Sequence, residues 1–356
     1  MMNSVYEKAI LEAARFVSDR FRAQRLRASR ILVVGASGLI GRVLCDLLMR
    51  LSETGRGGVS LCAVSRNAGT LKVAFGSHVG KPGFSLLAHD VNEPFPELGN
   101  FDYIVHAASN THPVAYSTDP VGTITANVIG TRNLLEYARL HAARRFAFLS
   151  SVEIYGESFP RTERFSEKDM GYIDCNTVRA GYPESKRVGE SLCCAYAEQH
   201  GLDVVIPRLC RVYGPTMKPD DSKALSQFIK KAVAGEDIVL KSDGSQFYSY
   251  VHAIDAATAI LKVLLDGSKG EAYNVSSEDS DVTLRTLAQK LADMSGGRVV
   301  FDVPDEAERK GYSAATRAVL DSGKLIALGW KALYNIDSGL RMTVDVLKGK
   351  ESDGGA

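Results

Sequence analysis

The chain has 356 residues, 45% hydrophobic and 24% charged, a composition that describes a globular protein and excludes a disordered or fibrous one. Its 43 basic and 42 acidic residues leave a formal charge of +1, so no polycation holds nucleic acid or an anionic membrane; small-molecule partners are expected, with neither nucleic acid nor membrane. Cysteines 45, 62, 175, 193, 194 and 210 lack CxxC or metal-ligand spacing, no apolar stretch reaches the ~18 residues of a membrane span, and no signal-peptide core is evident, so a reducing cytoplasm and no metal are expected.

Residues 1–28 read as an N-terminal helical extension, because Tyr6, Ile10, Ala13, Val17 and Phe21 recur at helical spacing. This helix is expected to cap the sheet edge, or else to serve as an oligomer contact or lid. From Arg30 onward, short β-rich runs at 31–34, 59–64, 84–88, 103–106, 146–149 and 204–207 alternate with helical stretches. That alternation predicts an α/β protein with a Rossmann-type doubly wound parallel sheet over 29–208, and a returning segment near 245–266. Helices near 222–235, 252–266, 282–296 and 335–348, with brief strands at 237–241, 247–251 and 299–303, predict a smaller C-terminal α+β substrate lobe over 209–350. The ESDGGA tail is expected to fray.

The glycine motif between the first strand and the following helix carries the first chemical signal. Gly35, Ser37, Gly38, Leu39, Ile40 and Gly41 fall where a tight turn, close backbone approach and a helix N-terminus receive a dinucleotide pyrophosphate. At the end of the second strand stands Ser65-Arg66-Asn67, without the acid that would accept from ribose hydroxyls and repel a 2′-phosphate. NAD or NADP is therefore expected, NADP at least as readily. Asp90 and Val91 after the third strand are placed to meet the adenine. His106, Ala107, Ala108 and Ser109 end the fourth strand with small residues beside the cofactor, Ser109 toward the substrate.

Tyr182 and Lys186 lie four apart on one helical face, with Pro183 in the first turn. A cation near the phenol favours phenolate, which takes a proton from a substrate alcohol while hydride leaves the same carbon. Ser151 closes the fifth strand upstream, where its hydroxyl reaches the same oxygen. Neither a GxSxG elbow nor HExxH occurs, and His106, His112 and His252 are read as packing or surface residues.

Taken in series, GASGLIG, DYIVHAAS, ANVIGTRNLLEYA, FLSSVEIYG, YPESKRVGE, RLCRVYGP and KLIALGW resemble the extended short-chain dehydrogenases/reductases that modify nucleotide sugars, over residues 29–345. Within that superfamily the chain looks most like UDP-glucuronate decarboxylases, with 4,6-dehydratases next. The resemblance implies catalytic Ser151, Tyr182 and Lys186, a catalytic Glu153 two beyond the serine, Asn127 as the structural asparagine near the cofactor, and Arg317 near substrate anions. It also implies a homodimer through the helices of 117–140 and 182–200, and a nucleotide sugar between the lobes.

Three departures stand out against that family pattern. They are Ser65-Arg66 for an acid, Arg211 for a substrate-touching asparagine, and Tyr248 and Ser249 for the usual arginine and aspartate. The substrate clamp is thus rebuilt, with Arg211, Arg208 or Arg179 as candidate anion holders. These departures also keep an NADPH-dependent reductase of an activated keto-sugar or ketose open. A non-catalytic nucleotide-binding protein is a third reading, against which the intact Ser/Tyr/Lys set speaks.

Overall fold

The computed structural model describes residues 3–54, 58–111, 113–157, 162–302 and 316–353. Its first strand, β1 (Arg30–Val34), is buried at every position after Arg30, as a strand covered on both faces must be. β1 pairs in parallel with β2 (Ser60–Ser65) on one side and β4 (Tyr103–His106) on the other. Beyond β2 lies β3 (Phe84–Ala88); beyond β4 come β5 (Arg145–Phe148) and then β7 (Val204–Leu209), with the two-residue β6 (Ser150–Ser151) also on β7. Strand order reverses between β1 and β4, and an open parallel sheet binds ligands at such a reversal, outside the carboxyl ends of its strands.

Strand β11 (Ala272–Val275) adds itself in parallel to β7, so the chain returns to the main sheet beyond the expected 245–266 segment. Between them in the chain, helix α8 (Ala253–Asp266) is buried along almost its whole length, its Asp255, Thr258 and Lys262 included, in keeping with its predominantly apolar sequence. Helix α2 (Leu39–Glu53) contrasts with it, burying Val43, Leu44, Leu47 and Leu48 along one side. Each such buried aliphatic side chain contributes roughly 1.5–3 kcal/mol.

The extension helix α1 (Ser4–Arg20) buries Tyr6, Ile10, Ala13 and Val17. It lies against α2 and α8, over the helical layer and not on the sheet edge expected of it. The Tyr6 hydroxyl donates to Asp46 on α2 (2.9 Å), whose carboxylate also receives Arg42 Nε (2.9 Å) and meets His78 (2.8 Å).

After β7 the chain builds a second sheet. β10 (Phe247–His252) is its centre, with β12 (Asp281–Thr283) antiparallel and β8 (Arg211–Tyr213) and β14 (Arg317–Ala318) parallel to it. β9 (Ile238–Leu240) and β13 (Val299–Phe301) form a separate pair, and α7 (Ala224–Ala234) and α9 (Leu284–Ser295) cover them. The last helix, Ile336–Asp353, runs into the tail expected to fray, whose residues 354–356 lie outside those described. No helix among the described residues is long and apolar enough to cross a membrane.

Candidate active site

The glycine loop sits at the sheet's point of reversal. Gly35 adopts φ +90°, and a Cβ there would lie 2.5 Å from the backbone of Ala107 and Ala108 at the end of β4. A Cβ on Gly41 would collide with the Gly35 carbonyl, so the first turn of α2 rests directly on the loop. Gly38 caps that helix without a side chain, leaving its first amide groups for an anionic ligand. Gly35→Ala combines a left-handed backbone with a backbone collision, a strain of roughly 1–3 kcal/mol. It is expected to weaken nicotinamide dinucleotide binding by about tenfold or more in calorimetric titration.

Ser65 Oγ, expected at a 2′-phosphate, accepts from the backbone N–H (3.0 Å) and hydroxyl (2.9 Å) of Ser37 in the glycine loop. Arg66 is exposed and reaches across the strand ends to Asn110 Oδ1 (3.3 Å). Asn67 caps helix α3 (Ala68–Phe75) by accepting from Thr70 N–H. Asp90 accepts from Asn92 N–H, and Val91 is buried under helix α5 (Pro120–Leu140). Asn133 on α5 fixes this turn by donating to the carbonyls of Val91, Asn92 and Glu93, a support that sequence reading missed.

On the other side of the cleft, α6 (Gly181–His200) brings Tyr182 and Lys186 to the same cleft wall as Ser151, whose hydroxyl exerts a lowering influence on the Tyr182 phenol. Burial pushes that phenol up to about 12, although the Ser151 hydroxyl pulls it down; Glu153 pushes it up further and Arg179 lowers it. Lys186 is equally buried and is lowered to about 7. Its Nζ donates to the Leu149 carbonyl (2.8 Å), lies 4.7 Å from the Phe148 ring centre and 6.0 Å from that of Tyr182. The simple expectation of a phenol acidified by a neighbouring cation does not describe this geometry, because burial outweighs the ammonium's influence.

His106 lies behind the lysine. Neither ring nitrogen has a hydrogen-bond partner among the described residues, and burial, aided by Lys186, lowers it to about 3, so it is a neutral packing ring beside Phe148. Asn127 Nδ2 donates to Ser185 Oγ (3.0 Å) on α6, leaving its buried Oδ1 without a partner among the described residues. That places Asn127 as a brace between α5 and the catalytic helix.

The cleft holds about 780 Å³. Glycines 35, 38 and 41 line it with Leu39, Ile40 and Ala107; Ser109, Ser151, Glu153, Tyr182 and Lys186 line the catalytic side. Glu153 accepts from Arg179 Nη2 (2.7 Å), and the Arg179 guanidinium lies 4.8 Å from the ring centre of Tyr116. Tyr116, on the short helix α4 (Pro113–Thr118), in turn stacks on Tyr182, centroids 4.9 Å apart. Sequence gave no signal for Tyr116, which meets Tyr182 only through the fold.

Of the candidate anion holders, Arg211 stays in the cleft, stacked 3.3 Å from the Tyr248 ring centre, with its Nη1 buried and without a hydrogen-bond partner among the described residues. Lys223, Lys231 and Lys241 join it on the C-terminal side, also unforeseen. Arg208 is committed elsewhere: Nε and Nη2 grip Glu190, and Nη1 donates to Tyr155 Oη and the Glu167 carbonyl. Ser249 is a buried brace, donating to Asp281 and accepting from Leu320 N–H. Arg317 is not among the described residues that line the cleft: its Nε donates to the Glu163 carbonyl (3.0 Å) and its guanidinium covers Phe247. His252 is buried as a packing ring, whereas His112 lies outside the described residues.

The model of the NAD dependent epimerase/dehydratase family matches residues 31–276. The chain belongs to this family. Among similar proteins, UDP-glucuronic acid decarboxylase 6 of Arabidopsis thaliana is 32% identical over 319 residues, covering 87% of this chain and 86% of that one. UDP-glucuronic acid decarboxylase 1 of Xenopus tropicalis is 30% identical over 93% of this chain and 73% of its own. Among solved structures, a dTDP-glucose 4,6-dehydratase from Streptomyces venezuelae holding NAD has a TM-score of 0.78 at 26% identity, over 91% of this chain and 98% of that one. A UDP-glucose 4-epimerase from Thermus thermophilus in complex with NAD gives 0.75 at 26% identity, over 90% and 99%. In this family's setting, the glycine cradle, the uncapped helix N-terminus and the small residues closing β4 fit a nicotinamide dinucleotide.

Proposed function

We propose that the protein decarboxylates a nucleotide-linked uronic acid, of the UDP-glucuronate type, through transient oxidation at the sugar C4. The observation that carries this reading is Glu153, set in one cleft with Ser151, Tyr182 and Arg179. The full-length likeness to UDP-glucuronic acid decarboxylases supports it. A bound nicotinamide supplies the hydride acceptor and later the donor.

This chain's residues do the rest. Ser151 hydrogen-bonds the substrate oxygen and orients it toward Tyr182. Tyr182 takes the hydroxyl proton, with Lys186 behind it in the low-dielectric floor of the site. Oxidation at C4 makes the carboxyl on C5 labile, and Glu153 handles the proton that replaces it. Arg211 and the lysines of the C-terminal side hold the diphosphate. Glu153→Gln is expected not to weaken substrate binding and to lower product formation about 10²-fold; steady-state assay of released CO2 checks this, and unchanged turnover would remove Glu153 from the chemistry.

The cofactor is NAD or NADP, and the exposed Arg66 at the end of β2, with no acid beside it, favours NADP. A second reading, an NADPH-dependent reductase of an activated keto-sugar or ketose, draws on that same strand end and on the rebuilt Arg211–Tyr248 clamp. Acid release of the bound nicotinamide followed by mass spectrometry separates them. Stoichiometric oxidised cofactor supports the self-recycling decarboxylase, whereas an empty site that takes up NADPH supports the reductase.

A homodimer is part of this proposal. Helix α5 exposes Val121, Ile124, Ile129 and Leu140, with Val188 on the neighbouring α6. Light scattering should report two chains; a monomer at micromolar concentration would dispose of the assembly.

A further inference from the structure

Arg179 presents a charge that nothing among the described residues fully uses. One amino group, Nη2, binds Glu153 at 2.7 Å, while the other, Nη1, is buried and has no hydrogen-bond partner among the described residues. A buried guanidinium N–H left unpaired is costly, so the site is built for an acceptor that arrives with the ligand. The guanidinium is not loose: it lies 4.8 Å from the Tyr116 ring centre, and Tyr116 is itself stacked on Tyr182 at 4.9 Å. Its location narrows the acceptor. Arg211, Lys223 and Lys231 belong to the opposite, C-terminal side of the cleft, where a diphosphate has its cations. Arg179 instead stands with Ser151 and Tyr182, at the sugar carbon being oxidised. A desolvated guanidinium fork prefers a planar anionic acceptor to a hydroxyl.

We propose that Arg179 is the specificity-determining residue for an acidic sugar: its Nη1 receives a carboxylate borne on the carbon next to the one oxidised at Tyr182. The assignment rests on the nucleotide-sugar reading above and names the residue that chooses among such sugars. It also has a consequence for the reaction. With the substrate bound, one guanidinium serves two carboxylates, that of Glu153 and that of the sugar, so a net negative charge is held in a dry site. Once C4 is a ketone, cleavage of the bond from the ring to the carboxyl carbon releases CO2. The electron pair passes into the enolate of that ketone, and a proton then returns to the same carbon. Carbon dioxide departs uncharged, and Arg179 is left with the single partner it has in the structure.

The test uses Tyr182→Phe as the background, so that no turnover disturbs calorimetric titration with UDP-glucuronate and UDP-glucose. The background protein should bind UDP-glucuronate about tenfold or more tightly than UDP-glucose. Adding Arg179→Gln should erase that preference while the UDP-glucose affinity stays within about twofold, which also shows that the variant is folded. Adding Glu153→Gln should strengthen UDP-glucuronate alone, because the competing carboxylate is gone; this arm stands even where Arg179→Gln does not fold. Equal affinities in the background protein would overturn the proposal, and so would a preference that survives Arg179→Gln. If neither ligand binds, the nucleotide-sugar reading falls together with it. Preferred binding of UDP-glucuronate without CO2 release by the unaltered protein would sink the decarboxylation reading alone.

Discussion

Replacing Tyr182 by Phe should lower turnover by about 10²–10⁴-fold, the range over which a positioned proton acceptor contributes. The fold has little reason to object. The ring stays stacked on Tyr116 and buried at 6% exposure, and only the hydroxyl is removed. Cofactor and substrate binding should therefore persist, and the loss should fall on kcat. The decisive measurement is single-turnover change in nicotinamide absorbance after mixing with nucleotide sugar. A variant within threefold of the parent rate would show that another group takes the proton, and the roles assigned to Ser151 and Lys186 would fall with it. Because burial holds the phenol at about 12 and the lysine at about 7, rates should rise with pH as the phenol begins to deprotonate and level off as pH passes the value near 7 at which Lys186 loses its proton. Ser151→Ala removes a hydroxyl that pulls the phenol down, and should depress the rate throughout this rise.

The parts of this architecture legible in the sequence are those fixed by neighbours along the chain. A β-rich run followed by a glycine turn and an amphipathic helix needs no distant information, and β1, Gly35 to Gly41 and α2 stand where the pattern puts them. Tyr182 and Lys186 share a helical face for the same reason. What stayed hidden depends on contacts across the fold. Strand β11 is four residues long and is defined by its pairing with β7, more than sixty positions earlier. Tyr116 acquires a role only when α4 packs over α6. Arg317 shows the converse: a matching position in the chain did not bring its side chain to the cleft, because the Glu163 carbonyl and the Phe247 ring hold it elsewhere. Ser65 stands at the expected strand end, and its hydroxyl oxygen accepts from Ser37 across the fold, a contact that no local pattern announces.

Glu190→Leu should destabilise the protein by on the order of 3–5 kcal/mol, the cost of leaving one member of a buried ion pair without its partner. Glu190 on α6 receives both Nε and Nη2 of Arg208 on β7, the closest contact being 2.7 Å, with side chains 10% and 6% exposed. The two other partners of Arg208, the Tyr155 hydroxyl and the Glu167 carbonyl, are neutral and both meet Nη1, so neither replaces the carboxylate. Pairing Glu190→Leu with Arg208→Met should restore most of the loss, since an apolar pair of similar volume leaves no charge to solvate. The site should register the single change as well. Glu190 is the main charge supporting the ammonium of Lys186, four residues earlier on the same helix, against the burial that lowers it. Without the carboxylate, Lys186 should lose its proton below its present value of about 7, and activity at neutral pH should fall more than the remaining folded fraction explains. Denaturant unfolding of the single and double variants, set beside kcat over a pH series, separates the two effects. A single variant as stable as the parent would mean that Arg208 is neutralised by another group, and the pair would then have no part in holding α6 to the sheet.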